Sequence, residues 1–386
     1  MERLSTTEST LLKLLSRSLF QNEVTFEEGI DWNAVLQEAI QQAVPAVAFA
    51  DFQESSDETL MNRINNVVYS TISNNTEVHH NHLELHKLLS NHNIPYVILK
   101  GCVSASYYPE PAYRSMGDVD FLVFPENFQK CCELLEENGF LGNDEPFLCE
   151  KQYQKENAVY EIHNSVNGIP QNETGKHIEK ILSDIISDAK NIEGYMAPTA
   201  FHHCFVMLLH VSIHMLNDGI GLRHLCDWAV FVNRYSSYEF VSTFKAPLQQ
   251  IGLWRFAQIL TQLSSEYIGL PVQVWASENV DIDYLTKLME DILHGGNFGR
   301  KDEDRYEAGK FISNRSKGNT DNSSTVIQLF SSVIDNIQIV WPITKKYRIL
   351  FPFAFIAYGF RFLYRLITGK RRKFNICSPA TKLRKI

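Results

Sequence analysis

Residues 98–123 read Ile98-Leu-Lys-Gly-Cys-Val-Ser-Ala-Ser-Tyr-Tyr-Pro-Glu-Pro-Ala-Tyr-Arg-Ser-Met-Gly-Asp-Val-Asp-Phe-Leu-Val123, and this stretch decides the fold class. It begins inside an apolar run, Tyr96-Val-Ile-Leu99, whose shortness and composition predict a buried strand. A short helix is expected up to Tyr107, then a loop at Pro109-Glu-Pro111, then a second strand from Val119 to Phe124 closed by Pro125. Side chains alternate along a strand, so Asp118 and Asp120 share one face. Two carboxylates that close, flanked by Val119, Phe121, Leu122 and Val123, repel each other and are costly to desolvate unless a cation lies between them. A hard divalent ion with oxygen ligands, most simply Mg²⁺, satisfies both. A bare D-x-D also serves as a solvated turn cap, but its surroundings here decide against that. Lys100-Gly101 stands at the end of the preceding strand, where a small residue lets backbone N–H groups approach a phosphate and a lysine neutralises it. Arg114, four residues before Asp118, is placed to pair with the carboxylates or to clamp a phosphate.

Downstream, Asn127 to Asn138 predicts a helix with Phe128, Cys131, Leu134 and Leu135 inward and Gly139 at its end. Leu148 to Gln154 and Ala158 to Val166 predict a hairpin around Lys155-Glu156-Asn157. On its second strand Val159, Glu161 and His163 share a face, which adds a third carboxylate and an imidazole that packing alone does not explain. The unit is strand–helix–strand–helix–hairpin, an α/β core in an otherwise helical chain, so the fold class is α+β. Helical spacing of Leu11, Leu12, Leu14 and Leu15, of Trp32, Val35, Leu36, Ile40 and Val44, and from Leu60 to Leu89 assigns helices upstream. Thr199 to Met215 and Leu222 to Tyr235 assign them downstream, on either side of a turn at Asp218-Gly-Ile-Gly221. The expected division is an N-terminal helical region (1–92), the α/β core (93–170), a helical region completing a cleft (171–300), a mobile polar loop (301–325) and a basic, aromatic helical tail (326–386).

Composition bounds the function classes. With 386 residues, 44% hydrophobic and 21% charged, the chain is neither disordered nor fibrous. Its 7 cysteines are scattered without a C-x-x-C pair, which speaks against a disulfide scaffold or a structural zinc site and fits a reducing compartment. Met1 to Phe20 mixes charges with leucines, so a cytoplasmic location without a secretory signal is expected. Of the 36 Lys and Arg, twelve lie between Trp341 and Ile386, a segment without Asp or Glu; the remainder carries 24 basic against 45 acidic residues. An acidic body makes no strong case for nucleic acid, whereas the basic tail suits phosphates, anionic lipid or an acidic protein face.

Taken together, Leu99-Lys100-Gly101, Tyr108-Pro109, Arg114-Ser-Met-Gly-Asp118-Val-Asp120-Phe-Leu-Val123 and Glu161-Ile-His163 resemble the nucleotidyltransferase superfamily that shares the DNA polymerase β palm. Within it the chain is most similar to a bacterial group of uncharacterised nucleotidyltransferase-like proteins often associated with polysaccharide gene clusters. Gly221-Leu-Arg-His-Leu-Cys-Asp227 resembles that group's helical continuation, and the resemblance spans about residues 30 to 240. It implies a polymerase β-like core and a Mg²⁺-dependent transfer of an NMP from an NTP, ATP among the candidates, to a hydroxyl of an acceptor such as a small molecule, a sugar or a protein. It implies that Asp118 and Asp120 hold Mg²⁺ and the nucleotide phosphates, that Glu161 completes the metal site or takes the hydroxyl proton, and that Gly101 is the phosphate-loop glycine. Lys100, Arg114 and His163 are the further phosphate-binding candidates. Two ions, Mg²⁺ or Mn²⁺, roughly 4 Å apart would stabilise the attacking and leaving oxygens. The loop carries Gly101-Cys102 where most of the superfamily has Gly-Ser or Gly-Gly. The alternatives are a nucleotide-binding module of the same fold with weakened turnover, or a toxin-like enzyme acting on tRNA or protein.

Other features are assigned structural roles. His79, His80, His82 and His86 crowd one helix, where Asn81 and Glu84 suggest a solvated face without a third metal ligand. His210 and His214 are expected in the core or at a cleft edge. Arg223 and Asp227, at i and i+4, are expected to pair along their helix or line the cleft. Cys131 and Cys132 are expected at one core and one surface position. Ile349 to Phe360 is too short to span a membrane. With its basic neighbours it suits a terminal helix on the acidic body, or a peripheral membrane contact through residues 345–373.

Overall fold

Ser5 opens the first helix: its hydroxyl accepts from the Glu8 amide while the Glu8 carboxylate accepts from the Ser5 amide, a reciprocal cap. Helix α1 (Thr6–Phe20) buries the leucine stripe at Leu11, Leu12, Leu14, Leu15 and Leu19. Helices α2 (Trp32–Gln41) and α3 (Pro45–Phe49) pack on it. Capped by Asp57, α4 (Glu58–Asn91) runs for 34 residues. The structure, a computed structural model, describes residues 4–142, 150–170, 172–217, 219–277, 282–299 and 301. They belong to the first of two units, Met1–Lys317. The expected tail, its membrane contact and all of the polar loop beyond Lys301 lie outside the described residues, as do Leu148 and Asp218.

After α4 the period changes from helix to strand. Strand β1 (Tyr96–Ile98), the single-turn helix α5 (Cys102–Ala105), β2 (Val119–Val123) and α6 (Pro125–Glu137) follow in the expected order. Strand β3 (Leu141–Gly142) is a short addition at the sheet edge, and β4 (Glu150–Lys155) and β5 (Ala158–His163) form the expected hairpin. The sheet order is β1-β2-β5-β4-β3, with β2 and β5 parallel and the other pairs antiparallel. All five residues of β2 are buried, which suits a central strand. Val119, Phe121 and Val123 point into a core shared with α6, Tyr153, Tyr160 and Ile162, whereas Leu122 joins the helical core through Val97, Leu99 and Val166. Asp120, two residues from Leu122, therefore faces the helical body.

The chain then departs from the all-helical expectation. Between α7 (Glu173–Ile181) and α8 (Ala200–Asn217) lies a hairpin, β6 (Lys190–Ile192) and β7 (Tyr195–Ala197), turned by Glu193 and Gly194, both at positive φ. It packs Tyr195 and Ala197 into the core of the sheet. Helices α9 (Leu222–Val232), α10 (Ser237–Gln250), α11 (Trp254–Ile268) and α12 (Ile282–Gly295) complete the described residues. Leucines of α1, residues of α8 and α9, and α10 to α12 share one hydrophobic core, so the helical segments before and after the sheet are joined by packing. Two expectations are corrected. Cys132 is buried, not on the surface: it lies under Tyr153, whose hydroxyl reaches its carbonyl. Lys301, placed at the start of a mobile loop, is pinned by the Glu38 carboxylate at 2.7 Å and the Leu293 carbonyl at 2.8 Å. Among the described residues no helix is long and apolar enough to cross a membrane.

Candidate active site

The parallel pairing of β2 and β5 sets Asp120 opposite Glu161 and Leu122 opposite His163, so both carboxylates and the imidazole emerge on the face turned to the helices. Asp120 Oδ1 lies 3.2 Å from His163 Nε2 and 3.0 Å from Lys100 Nζ. His163 Nδ1 stands 3.5 Å from a Glu150 oxygen, and Gln152 donates to Glu161 Oε1 at 3.1 Å. Asp120 and His163 are buried, Glu161 is half-buried, and Asp118 is exposed. One ligand atom each from Asp120, Glu161 and His163 lie within 4.8 Å of one another. His163 thus joins Asp120 and Glu161 in the close group, and Asp118 stands outside it.

Electrostatics mark this group as one that calls for a cation. Burial disfavours charge on Asp120, yet Lys100 and His163 hold its carboxyl far below the usual range. Burial, then the charges of Asp120 and Asp118, push Glu161 up to about 9. Asp118 is raised chiefly by the neighbouring Asp120 carboxylate. Burial works against the Lys100 ammonium, but Asp120, Asp118 and Glu161 outweigh it and raise its proton affinity. Two carboxylates and an imidazole, crowded and withdrawn from water, could hold a divalent metal ion.

A second network holds the segment that leads into β2. Arg114 gives Nε and Nη2 to the two oxygens of Asp227 at 2.8 and 2.7 Å, and the Tyr108 hydroxyl donates to Asp227 at 2.7 Å. The expectation that Arg114 clamps phosphate is therefore corrected: its fork is spent on a buried carboxylate 113 residues away. The expected Arg223–Asp227 helix pair is corrected with it, since Asp227 turns to Arg114 and Arg223 donates instead to the Ser115 carbonyl at 3.2 Å. From α4, Asn75 donates to the Ala112 and Arg114 carbonyls and accepts from the Met116 amide, while Asn74 donates to the Met116 carbonyl. Sequence reasoning missed Asn74 and Asn75, and gave Tyr108 a place in the Tyr108-Pro109 motif but no role. The signal was there for Asn75, which interrupts the buried stripe Leu60, Ile64, Val68, Val78, Leu85 and Leu89 at a core position.

His82 interrupts the same stripe, seven residues on, and its expected solvated place is corrected: it is fully buried, and burial lowers its pKa to about 4. Its Nε2 lies behind Gly101, 3.7 Å from where a Cβ would stand. Gly101 has φ +64°, a backbone that L side chains rarely adopt, and this turn carries Lys100 over the carboxylates. Cys102 turns its thiol into the core, where burial pushes it up to about 12.

Helices α8 and α9 build a basic, aromatic cluster. The rings of His210 and His214 are 4.3 Å apart, that of His224 lies 5.5 Å from His210, and Phe298 lies 4.8 Å from His214. Burial lowers His210 and His224 well below the ordinary imidazole range. The Arg223 guanidinium stands 5.4 Å from the Phe298 ring, and its buried Nε has no hydrogen-bond partner. Burial and the Arg114 charge lower Arg223, while Asp227 and Asp118 act in the opposite sense.

A family model described as "Uncharacterised nucleotidyltransferase" matches residues 28–269, a range that holds every one of these residues except Phe298. No curated protein matches the chain.

Proposed function

The chain belongs to the uncharacterised nucleotidyltransferase family, and from that premise we propose that it moves an NMP from an NTP to a hydroxyl acceptor in a Mg²⁺- or Mn²⁺-dependent reaction on a polymerase β-like core. The observation that carries the proposal is the register of Asp120 against Glu161, with His163 beside them. A divalent cation held by these residues would neutralise the crowded carboxylates and draw charge from the phosphate under attack. Asp118, exposed on the same face, would serve a second ion brought in with the nucleotide.

In the reaction the acceptor oxygen bonds to the α-phosphorus, the bond from that phosphorus to the bridging oxygen breaks, and pyrophosphate leaves with the electron pair. The hydroxyl proton passes to a carboxylate of the group, with Glu161 the candidate. Lys100 and Arg223 are the phosphate-binding cations in this proposal. Arg223 takes the place expected of Arg114 because its guanidinium has no carboxylate partner among the described residues, whereas Arg114 is committed to Asp227. His210 and His214 would line the acceptor side.

The Cys102 thiol favours the second reading, a nucleotide-binding module with weakened turnover. Buried in the core, it supplies no hydroxyl at the Gly101 turn. One experiment separates the two: incubation with each labelled NTP and Mg²⁺ or Mn²⁺, followed by pyrophosphate detection and intact-mass analysis. Pyrophosphate release with a modified product supports transfer; saturable NTP binding without release supports the module; neither removes both. A mass shift of one nucleotide on the protein itself would mark a protein acceptor.

A further inference from the structure

Lys100, a phosphate-binding candidate, is bonded to a carboxylate of the site. Its ammonium lies 3.0 Å from Asp120 Oδ1, the same oxygen that faces His163 Nε2 at 3.2 Å. That oxygen belongs to the carboxylate at the centre of the close group of Asp120, Glu161 and His163. Asp120 is almost wholly buried, so its charge is answered by neighbours and hardly by water; the Lys100 side chain is 23% exposed and retains a route outward.

We propose that Lys100 is the built-in counter-cation of the carboxylate group and yields that place to a divalent ion when a nucleotide phosphate offers its ammonium a new partner. The proposal rests on the nucleotidyl-transfer reading and deepens it by fixing the order of assembly: cation and nucleotide bind as a pair, and the bare ion binds weakly.

Charge balance at a single oxygen, Asp120 Oδ1, decides how an ion can enter. A divalent ion on Asp120 would stand beside an ammonium already bonded to that carboxylate, in surroundings that screen little. The ion must either bear that repulsion or displace Lys100. Displacement without a new anion leaves the ammonium with water in place of a charged partner; displacement onto a phosphate gives it one. Lysine suits such a transfer because its charge sits on a flexible four-carbon stem, whereas a guanidinium in a bidentate pair, as at Arg114, is held in one plane. The Gly101 turn fixes the backbone while leaving the Lys100 stem free to swing. Because linkage is reciprocal, the nucleotide must tighten cation binding by the same factor as the cation tightens nucleotide binding.

The test uses the full chain, Mn²⁺ as the ion, and the α,β-methylene analogues of the four NTPs, which bind without turning over. Mn²⁺ affinity is read by electron paramagnetic resonance with and without analogue, and thermal unfolding is followed with Mn²⁺ alone. In the unaltered protein the analogue should tighten Mn²⁺ by about tenfold, within the usual range of such couplings. In Lys100→Met, Mn²⁺ alone should bind about tenfold tighter than in the unaltered protein and raise the unfolding temperature more, and the coupling to nucleotide should fall below that of the unaltered protein. Equal Mn²⁺ affinity with and without analogue, in a protein that binds the analogue, overturns the Lys100 proposal and leaves nucleotidyl transfer standing. So does a Lys100→Met protein that binds Mn²⁺ no more tightly than the original. Failure to bind any of the four analogues overturns the transfer reading, and the Lys100 proposal with it. Should Lys100→Met fail to fold, Lys100→Gln, which also removes the charge, is read in the same way.

Discussion

Asp120 lies directly across from Glu161 on adjacent parallel strands, with His163 two residues on in β5 and Asp118 two residues back, just before β2 begins. A slip of one residue between β2 and β5 would turn Glu161 and His163 to the opposite face and put Tyr160 and Ile162 against the helices. The apolar alternation that fills the small core, with Phe121, Val123, Tyr160 and Ile162 on one side, therefore also assembles the carboxylates on the other.

Asp118 and Asp120 should part company on substitution. Asp120→Asn removes the charge that answers both Lys100 and His163, so it should abolish transfer and cost about 1–3 kcal/mol of stability. Asp118→Asn, at an exposed position, should abolish or severely reduce transfer with the denaturation midpoint unchanged. Activity and urea unfolding of both variants check this; full activity in Asp120→Asn would remove the carboxylate mechanism.

Arg114 and Asp227 should behave as structural partners. Asp227→Asn leaves a buried guanidinium without its anion and should cost about 3–5 kcal/mol. Arg114→Lys should be nearly as harmful, since an ammonium cannot reproduce the two parallel bonds. The measurement is the shift in unfolding free energy for each single variant and for the double variant. Strong non-additivity is expected; additive losses would show that the pair carries no coupling.

How far the site could be read in advance follows from the range of each interaction. Asp118-Val-Asp120 and Glu161-Ile-His163 were legible because a period of two assigns faces within a strand. Their mutual register was not, because a parallel pair is brought together by a crossover and not by a local turn. The Arg114–Asp227 pair joins a loop to a helix 113 residues on, and sequence spacing pointed instead to Arg223, the neighbour at i−4. Asn75 and His82 stood in plain view at core positions of α4, yet polar neighbours such as Asn81 and Glu84 masked the stripe. The β6–β7 hairpin escaped because Lys190 to Ile192 is exposed and carries no apolar alternation.

Arg223 should separate binding from folding. Loss of one charge-assisted contact to a phosphate corresponds to roughly ten- to hundredfold in KM for the nucleotide. Arg223→Met should show that loss while keeping most of the packing against Phe298 and nearly the original stability. If KM is unchanged, or if the variant unfolds like Asp227→Asn, the phosphate role passes elsewhere.

The buried histidines should withdraw their contribution to stability in mild acid. Burial lowers His203 from 6.5 to about 3, and it also lowers His202 and His224. A histidine whose folded pKa is depressed takes up its proton more readily in the unfolded chain. Its contribution is therefore intact above about 6.5 and is lost as pH falls below that value towards the folded pKa. For His203 alone the loss at pH 5 is about 2 kcal/mol. Glu161, raised to about 9, acts in the opposite sense over the same interval, so His203 is read by difference: between pH 7 and pH 5 His203→Gln should lose about 2 kcal/mol less stability than the unaltered protein. Equal pH dependence in the unaltered protein and in His203→Gln would contradict the burial of this imidazole.

Gly101 tests whether the turn itself matters. A methyl group there would meet His82 Nε2 at 3.7 Å and the Asp118 carbonyl at 3.8 Å, which are ordinary contacts, so space does not forbid alanine. The φ of +64° does, at a cost of about 1–3 kcal/mol if the conformation is kept. The chain has a second option, relaxing the turn, which would carry the Lys100 stem away from Asp120. The two responses are distinguishable. Gly101→Ala with lowered stability and near-normal transfer means the turn has held under strain. Near-normal stability with strongly reduced transfer means it has relaxed and moved Lys100. The second outcome is expected, because the strain is confined to one backbone position while the ammonium contact has a solvent-exposed route by which to open. Pyrophosphate release and urea unfolding, measured on the same preparation, decide between them, and a variant unchanged in both would show that the glycine is dispensable.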